Sequence, residues 1–167
     1  AGSDRCDFPK MLQGLGTKWL ILGTDFKRHP SIAWSHPPFV ALQKLIAAHQ
    51  IQPAQVAKVR VWNVGVSRIA DHRPAGAVDA QFSLPYAVAT TLLGLPLTPA
   101  LYSDKTLRSA RVRAMIDRVE CLADPQMDLD WFQNNIMRSR VEITLTDGRT
   151  LEASATFPND KPKYGRE

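Results

Sequence analysis

"RVEITLTDGRTLEASATF", residues 140–157, is the stretch whose pattern decides the fold class. Val141, Ile143 and Leu145 alternate with Glu142, Thr144 and Thr146, and period-two alternation marks a half-buried strand. A second run begins after Asp147-Gly148. An Asp-Gly pair between two such runs is a hairpin signal, because glycine accepts the positive φ that a tight turn needs.

Working outward, "AKVRVWNV" at 57–64 alternates Val59 and Val61 with Lys58 and Arg60, a second half-buried strand. "RVECLAD", 118–124, reads as a third. "SHPPF" at 35–39 is a helix start, with Ser35 or His36 as N-cap and a proline in the first turn. Phe39, Leu42, Leu45 and Ile46 carry that helix to about His49. Phe8 to Leu15 reads as a short helix stopping at Gly16, Lys18 to Lys27 as extended chain, and Thr106 to Asp117 as one charged amphipathic helix. Strands and helices mixed in this order predict an α+β domain, with helices packed on a mainly antiparallel sheet that ends in a β-hairpin.

The longest uncharged run lies between Asp79 and Asp104, in a chain of which 22% is charged. Ser83 is placed to cap a helix whose first turn tolerates Pro85. Leu84, Ala87, Val88, Thr91 and Leu92 share one stripe; Tyr86, Ala89, Thr90 and Leu93 share the opposite one. With no charged face, the helix should be buried on two sides. The first stripe is expected on the domain's own core. The second, with Tyr86, is expected against a partner domain or chain, and in the isolated chain it should be left exposed or covered by another copy. Pro85, Gly94, Pro96 and Pro99 interrupt the run, which argues against a membrane span.

A chain of 167 residues suits one domain. Its net charge of +5 permits an anionic partner, but the basic residues are scattered among acids. A nucleic-acid footprint needs clustered charge, so no nucleic acid is expected, whereas a small anion fits equally well. Two distant cysteines, Cys6 and Cys121, suit reduced thiols in a cytoplasmic protein. The four histidines have no compact ligand spacing.

Two places are left for chemistry. In "FKRHPSIAWSHPP", 26–38, Lys27 and His36 flank a turn that opens a helix. Together they make either a carboxylate-binding corner, or a solvated lysine beside a histidine that caps its helix. Tyr86 is the second place: a buried phenol needs a hydrogen-bond partner, supplied either by the domain itself or across a cleft.

These stretches resemble the C-terminal domain of the MmgE/PrpD family, which includes 2-methylcitrate dehydratase, cis-aconitate decarboxylase and iminodisuccinate epimerase. The likeness rests on "LGTKWLILGTDFKRHPSIAWSH" (15–36), "DAQFSLPYAVATTLLG" (79–94) and "VEITLTDGRTLEA" (141–153). It spans about 12–160, with 1–11 an N-terminal extension or cloning remnant and 161–167 a tail. The resemblance implies a larger helical domain ahead of this one, an active cleft between the two, and a homodimer. It implies a di- or tricarboxylate substrate and no metal or organic cofactor. It places Lys27 and Tyr86 at the positions of an active-site lysine and tyrosine, and His36 at a histidine that binds substrate. His29 departs from the tyrosine or phenylalanine common there, which bears on substrate choice. A last helix expected of the family would follow "PNDKPKYGRE" (158–167).

Overall fold

Four strands form one sheet, with helices on one of its faces. The computed structural model describes residues 7–23, 27 and 29–157. Its strands are β1 (Val56–Asn63), β2 (Val119–Ala123), β3 (Met137–Leu145) and β4 (Thr150–Phe157), in the order β2-β1-β3-β4. β1 pairs antiparallel with β3, and β3 with β4, but β1 and β2 run parallel. The α+β class holds, while the sheet is mixed rather than mainly antiparallel. The reason is the route from β1 to β2: residues 64–118 cross over through helices and bring the chain back in the same direction. Between β3 and β4, Leu145 N–H donates to the Arg149 carbonyl at 2.8 Å, and Gly148 sits at φ +88°.

Alternation sorts the sheet into two unlike faces. Val59 and Val61 of β1 lie beside Ile143 and Val141 of β3 on the core side. On the other side Arg60 bridges Glu120 at 3.1 Å and Glu142 at 3.3 Å. Arg140 lies 3.7 Å above the Trp62 ring, an arrangement in which a cation meets the negative face of the indole.

Two helices cover the core side. α1 (Phe8–Leu12) lies near the start of the chain, and α2 (His36–His49) packs on β3 and β4. α3 (Val66–Ile69), α4 (Ala77–Phe82) and α5 (Leu84–Leu92) follow β1, and α5 packs against α2 and β2. α6 (Asp104–Leu107) and α7 (Ala110–Ile116) complete the crossover; α8 (Pro125–Asn134) joins β2 to β3. Thr106 to Asp117 is therefore not one helix. It breaks at Ser109, which is extended (φ −61°, ψ 122°) and whose Oγ accepts the Val112 N–H. Such N-capping starts a new helix.

α5 is closed at both ends by local chemistry. Ser83 Oγ accepts the Tyr86 N–H at 3.1 Å. At the other end Leu95 N–H reaches the Thr90 carbonyl and Gly94 N–H the Thr91 carbonyl, both at 3.0 Å, with Gly94 at φ +67°. This pair of bonds is the glycine-dependent helix stop. Thr90 and Thr91 donate their hydroxyls back to the carbonyls of Tyr86 and Ala87. The two threonines thus spend their hydroxyls on the helix itself, and all nine of its residues are buried.

That burial corrects one expectation. The stripe with Tyr86, Ala89 and Leu93 is not open: Tyr86 is 1% exposed and the other two are buried. The chain supplies the cover itself, through α7 and the 3-10 turn Pro99–Tyr102, whose Tyr102 ring stacks on Tyr86.

The extended reading of Lys18 to Lys27 also fails over Leu20–Gly23, which is a 3-10 turn, with Leu22 N–H bonded to the Trp19 carbonyl. Alternating apolar residues make a strand only when a neighbouring strand takes their backbone bonds, and none pairs here among the described residues. Residues 24–26 and 28 lie outside the described part. α1 stops at Leu12, short of Gly16.

Candidate functional site

The turn ahead of α2 positions the first candidate residues. Lys27 is exposed and its Nζ donates to the Ser31 carbonyl at 3.3 Å. Ser31 and Ser35 share a hydrogen bond of 2.7 Å between hydroxyls, and Ser35 Oγ donates to the Ile32 carbonyl at 2.6 Å. Ser35 occupies the N-cap position of α2 but uses its hydroxyl within the turn rather than on the helix. The turn is tied to the next candidate region by Ile32 N–H, which donates to the Gln81 carbonyl at 2.9 Å.

His36 opens α2 and is 5% exposed. Its ring lies in an aromatic cluster, with centroids 5.3 Å from His29, 6.3 Å from Phe39 and 6.0 Å from Phe157. Pro37 and Pro38 fix the first turn of the helix, where a missing N–H costs nothing.

Tyr86 sits in the first turn of α5, held there by the Ser83 cap. Ser83 Oγ also donates to the Asp71 carbonyl, which ties the helix start to the loop after α3. The Tyr86 hydroxyl donates to the Leu101 carbonyl at 2.5 Å. Burial, reinforced by the neighbouring Tyr102 hydroxyl, pushes its pKa up to about 12. At neutral pH this phenol is a hydrogen-bond donor and not a base.

A cavity of about 530 Å³ reaches Tyr86 from the surface. Arg73, Arg108 and Arg113 line it, with Asp104 and Asp117 between them. Arg73 pairs with Asp117 at 2.7 Å and Arg108 with Asp104 at 3.3 Å. His72, also in the wall, has its two ring nitrogens 3.1 Å and 2.9 Å from the carbonyls of Ala70 and Val119, which fastens this loop to β2.

The fold thus brings Lys27 and His36 to one turn but gives Tyr86 a different setting: neither Lys27 nor His36 lines the cavity at Tyr86. The arginines of that cavity carry no signal in the sequence. Arg73 comes from the loop after α3, Arg108 from the break between α6 and α7, and Arg113 from within α7, positions with no common spacing.

Among the described residues, no group of three or more His, Cys, Asp or Glu side chains is placed to hold a metal ion. Cys121 is a free thiol, its pKa pushed up to about 12 by burial and then by Glu120. No helix among the described residues is long and apolar enough to cross a membrane.

In comparison with protein families, the model of the MmgE/PrpD C-terminal domain matches residues 29–164. His36 and Tyr86 fall inside that span, and Lys27 lies two residues ahead of it. No curated protein matches the chain.

Proposed function

The chain belongs to the MmgE/PrpD family by its C-terminal domain, and from that premise we propose that it supplies one wall of a lyase site for a di- or tricarboxylate. The reaction is of the 2-methylcitrate dehydration type, with decarboxylation or epimerisation as its family alternatives. A helical domain of the family type supplies the other wall, so the chain by itself turns over no substrate. The same reading carries a homodimer in the cytoplasm, no nucleic-acid partner and no cofactor.

The family match over most of the chain carries this reading. Elimination or decarboxylation beside a carboxylate builds negative charge on the substrate, and fixed cations and donors lower that barrier. Lys27, exposed at the turn, pairs with a substrate carboxylate or with the enolate-like charge that develops next to it. His36 orients a second carboxylate from the start of α2. Tyr86 donates a hydrogen bond to a carboxylate or to the leaving hydroxyl. A phenol with pKa near 12 suits a donor that keeps its proton. To serve substrate, its hydroxyl must exchange the Leu101 carbonyl for a substrate oxygen.

That commitment to Leu101 favours a second reading, in which Tyr86 is structural and the chain is a binding or dimerisation module without its own chemistry. Joining the chain to a family-type helical domain separates the two. In the first reading 2-methylcitrate or cis-aconitate is consumed, and Lys27→Ala lowers kcat/KM by about a hundredfold, the scale of losing one charge-stabilising group. If Lys27→Ala and Tyr86→Phe leave the rate unchanged in that assembly, with Tyr86→Phe costing stability alone, the module reading stands. Turnover by the 167-residue chain alone would contradict the need for a second wall.

A further inference from the structure

We propose that the cavity beside Tyr86 is a binding site for a small oxyanion bearing two or more negative charges. Arg113 is its anchor, and Arg73 and Arg108 are its flanking contacts. The volume of about 530 Å³ is that of a small-molecule site. Its wall holds three guanidinium groups and two carboxylates, so positive charge is in excess. Arg73 and Arg108 already face Asp117 and Asp104. Arg113 has no ion pair among the described residues.

The two existing pairs are solvent-exposed. Exposed pairs contribute little to stability, so a ligand oxyanion displaces an aspartate at small cost. The forked guanidinium donors match the oxygens of a carboxylate or a phosphate two at a time. Leu107 and Ile116 add apolar wall for a short carbon skeleton. The supports are fixed: His72 bridges its loop to β2, and Ser83 binds the same loop to α5. A site on braced elements loses less freedom when a ligand enters.

This site is separate from the Lys27 and His36 turn, although it shares Tyr86 with the function proposed above. The test is calorimetric titration of the full chain with succinate and, separately, with inorganic phosphate, at matched ionic strength. Saturable binding of one or both is expected, weakened about tenfold or more by Arg113→Gln, the scale of one hydrogen bond to a charged group. Binding should survive Lys27→Gln. Succinate alone binding identifies a carboxylate ligand, and phosphate alone a phosphate ligand.

Absence of saturable binding for both anions overturns the proposal. So does binding that Arg113→Gln leaves intact. If Lys27→Gln abolishes succinate binding while Arg113→Gln does not, the cavity is excluded and the Lys27 turn is supported instead. Arg113 is exposed on α7, and a thermal melt matching the parent confirms that its variant is folded. Arg108→Gln serves as the second variant, with the same direction expected.

Discussion

Helix α5 and the segment from Phe8 to Leu22 are both rich in apolar residues, yet the first is sealed and the second lies open. Every residue of α5 is buried, while Leu15 is 80% exposed and Ile21 76%. Apolar composition does not separate them; the availability of partners does. α5 meets α2, α7 and β2, and its polar groups are satisfied by Ser83, Thr90, Thr91 and the Gly94 stop. The early segment forms local turns, such as Thr17 N–H to the Gly14 carbonyl and Leu22 N–H to the Trp19 carbonyl. A hydrophobic side chain stabilises a fold only by the area it removes from water.

The strongest way to break this comparison is Leu84→Ala. Leu84 is fully buried in α5, so truncation loses transfer energy and leaves a cavity, about 3 kcal/mol in a urea unfolding curve. A loss below about 1 kcal/mol would mean that the layer around α5 collapses to refill the space.

A smaller effect is expected from Tyr86→Phe, which deprives the buried Leu101 carbonyl of its donor and costs about 1–2 kcal/mol. Its pH dependence sharpens the assignment. The phenol pKa rises from 10.0 to about 12 on folding, so between those values the unfolded chain has released a proton that the folded chain keeps. Stability therefore falls as pH climbs through this window, by at most about 1.4 kcal/mol per pH unit from this group. Denaturation curves across that window should slope less steeply for the Phe variant. Equal slopes would show that Tyr86 does not hold its proton in the fold.

Least of all should follow from Leu15→Ala in the isolated chain, within about 0.5 kcal/mol of the parent. A loss comparable to that of Leu84→Ala would show that the early segment is packed in solution and erase the contrast with α5.

Much of the local structure was legible because it is written in short-range chemistry. The alternation of Val59, Val61, Val141 and Ile143 marked two strands correctly. Ser83 and Pro85 marked the start of α5, and the helix does stop before Gly94. Lys18 to Lys27 misled over Leu20–Gly23, where no strand among the described residues completes the alternation. The break at Ser109 passed unseen because Leu107, Val112 and Ile116 keep helical spacing across it. His36 and Tyr86 could be named as candidates from residue type and context alone. The setting of each was not, since Tyr86 is capped by Leu101, fifteen residues away.

By itself the sequence determined the α+β class, the main helices and strands, and the family likeness, because caps, prolines and period-two or helical patterns act within a few neighbouring residues. Tertiary structure alone decided that β2 runs parallel to β1, that α5 is covered by its own chain, and that three arginines meet beside Tyr86. Those outcomes depend on contacts between distant segments, such as Arg73 with Asp117, 44 positions apart. Local preference carries no information about which distant surface will complete a face, and burial goes to the arrangement that satisfies the most apolar area and backbone polar groups together.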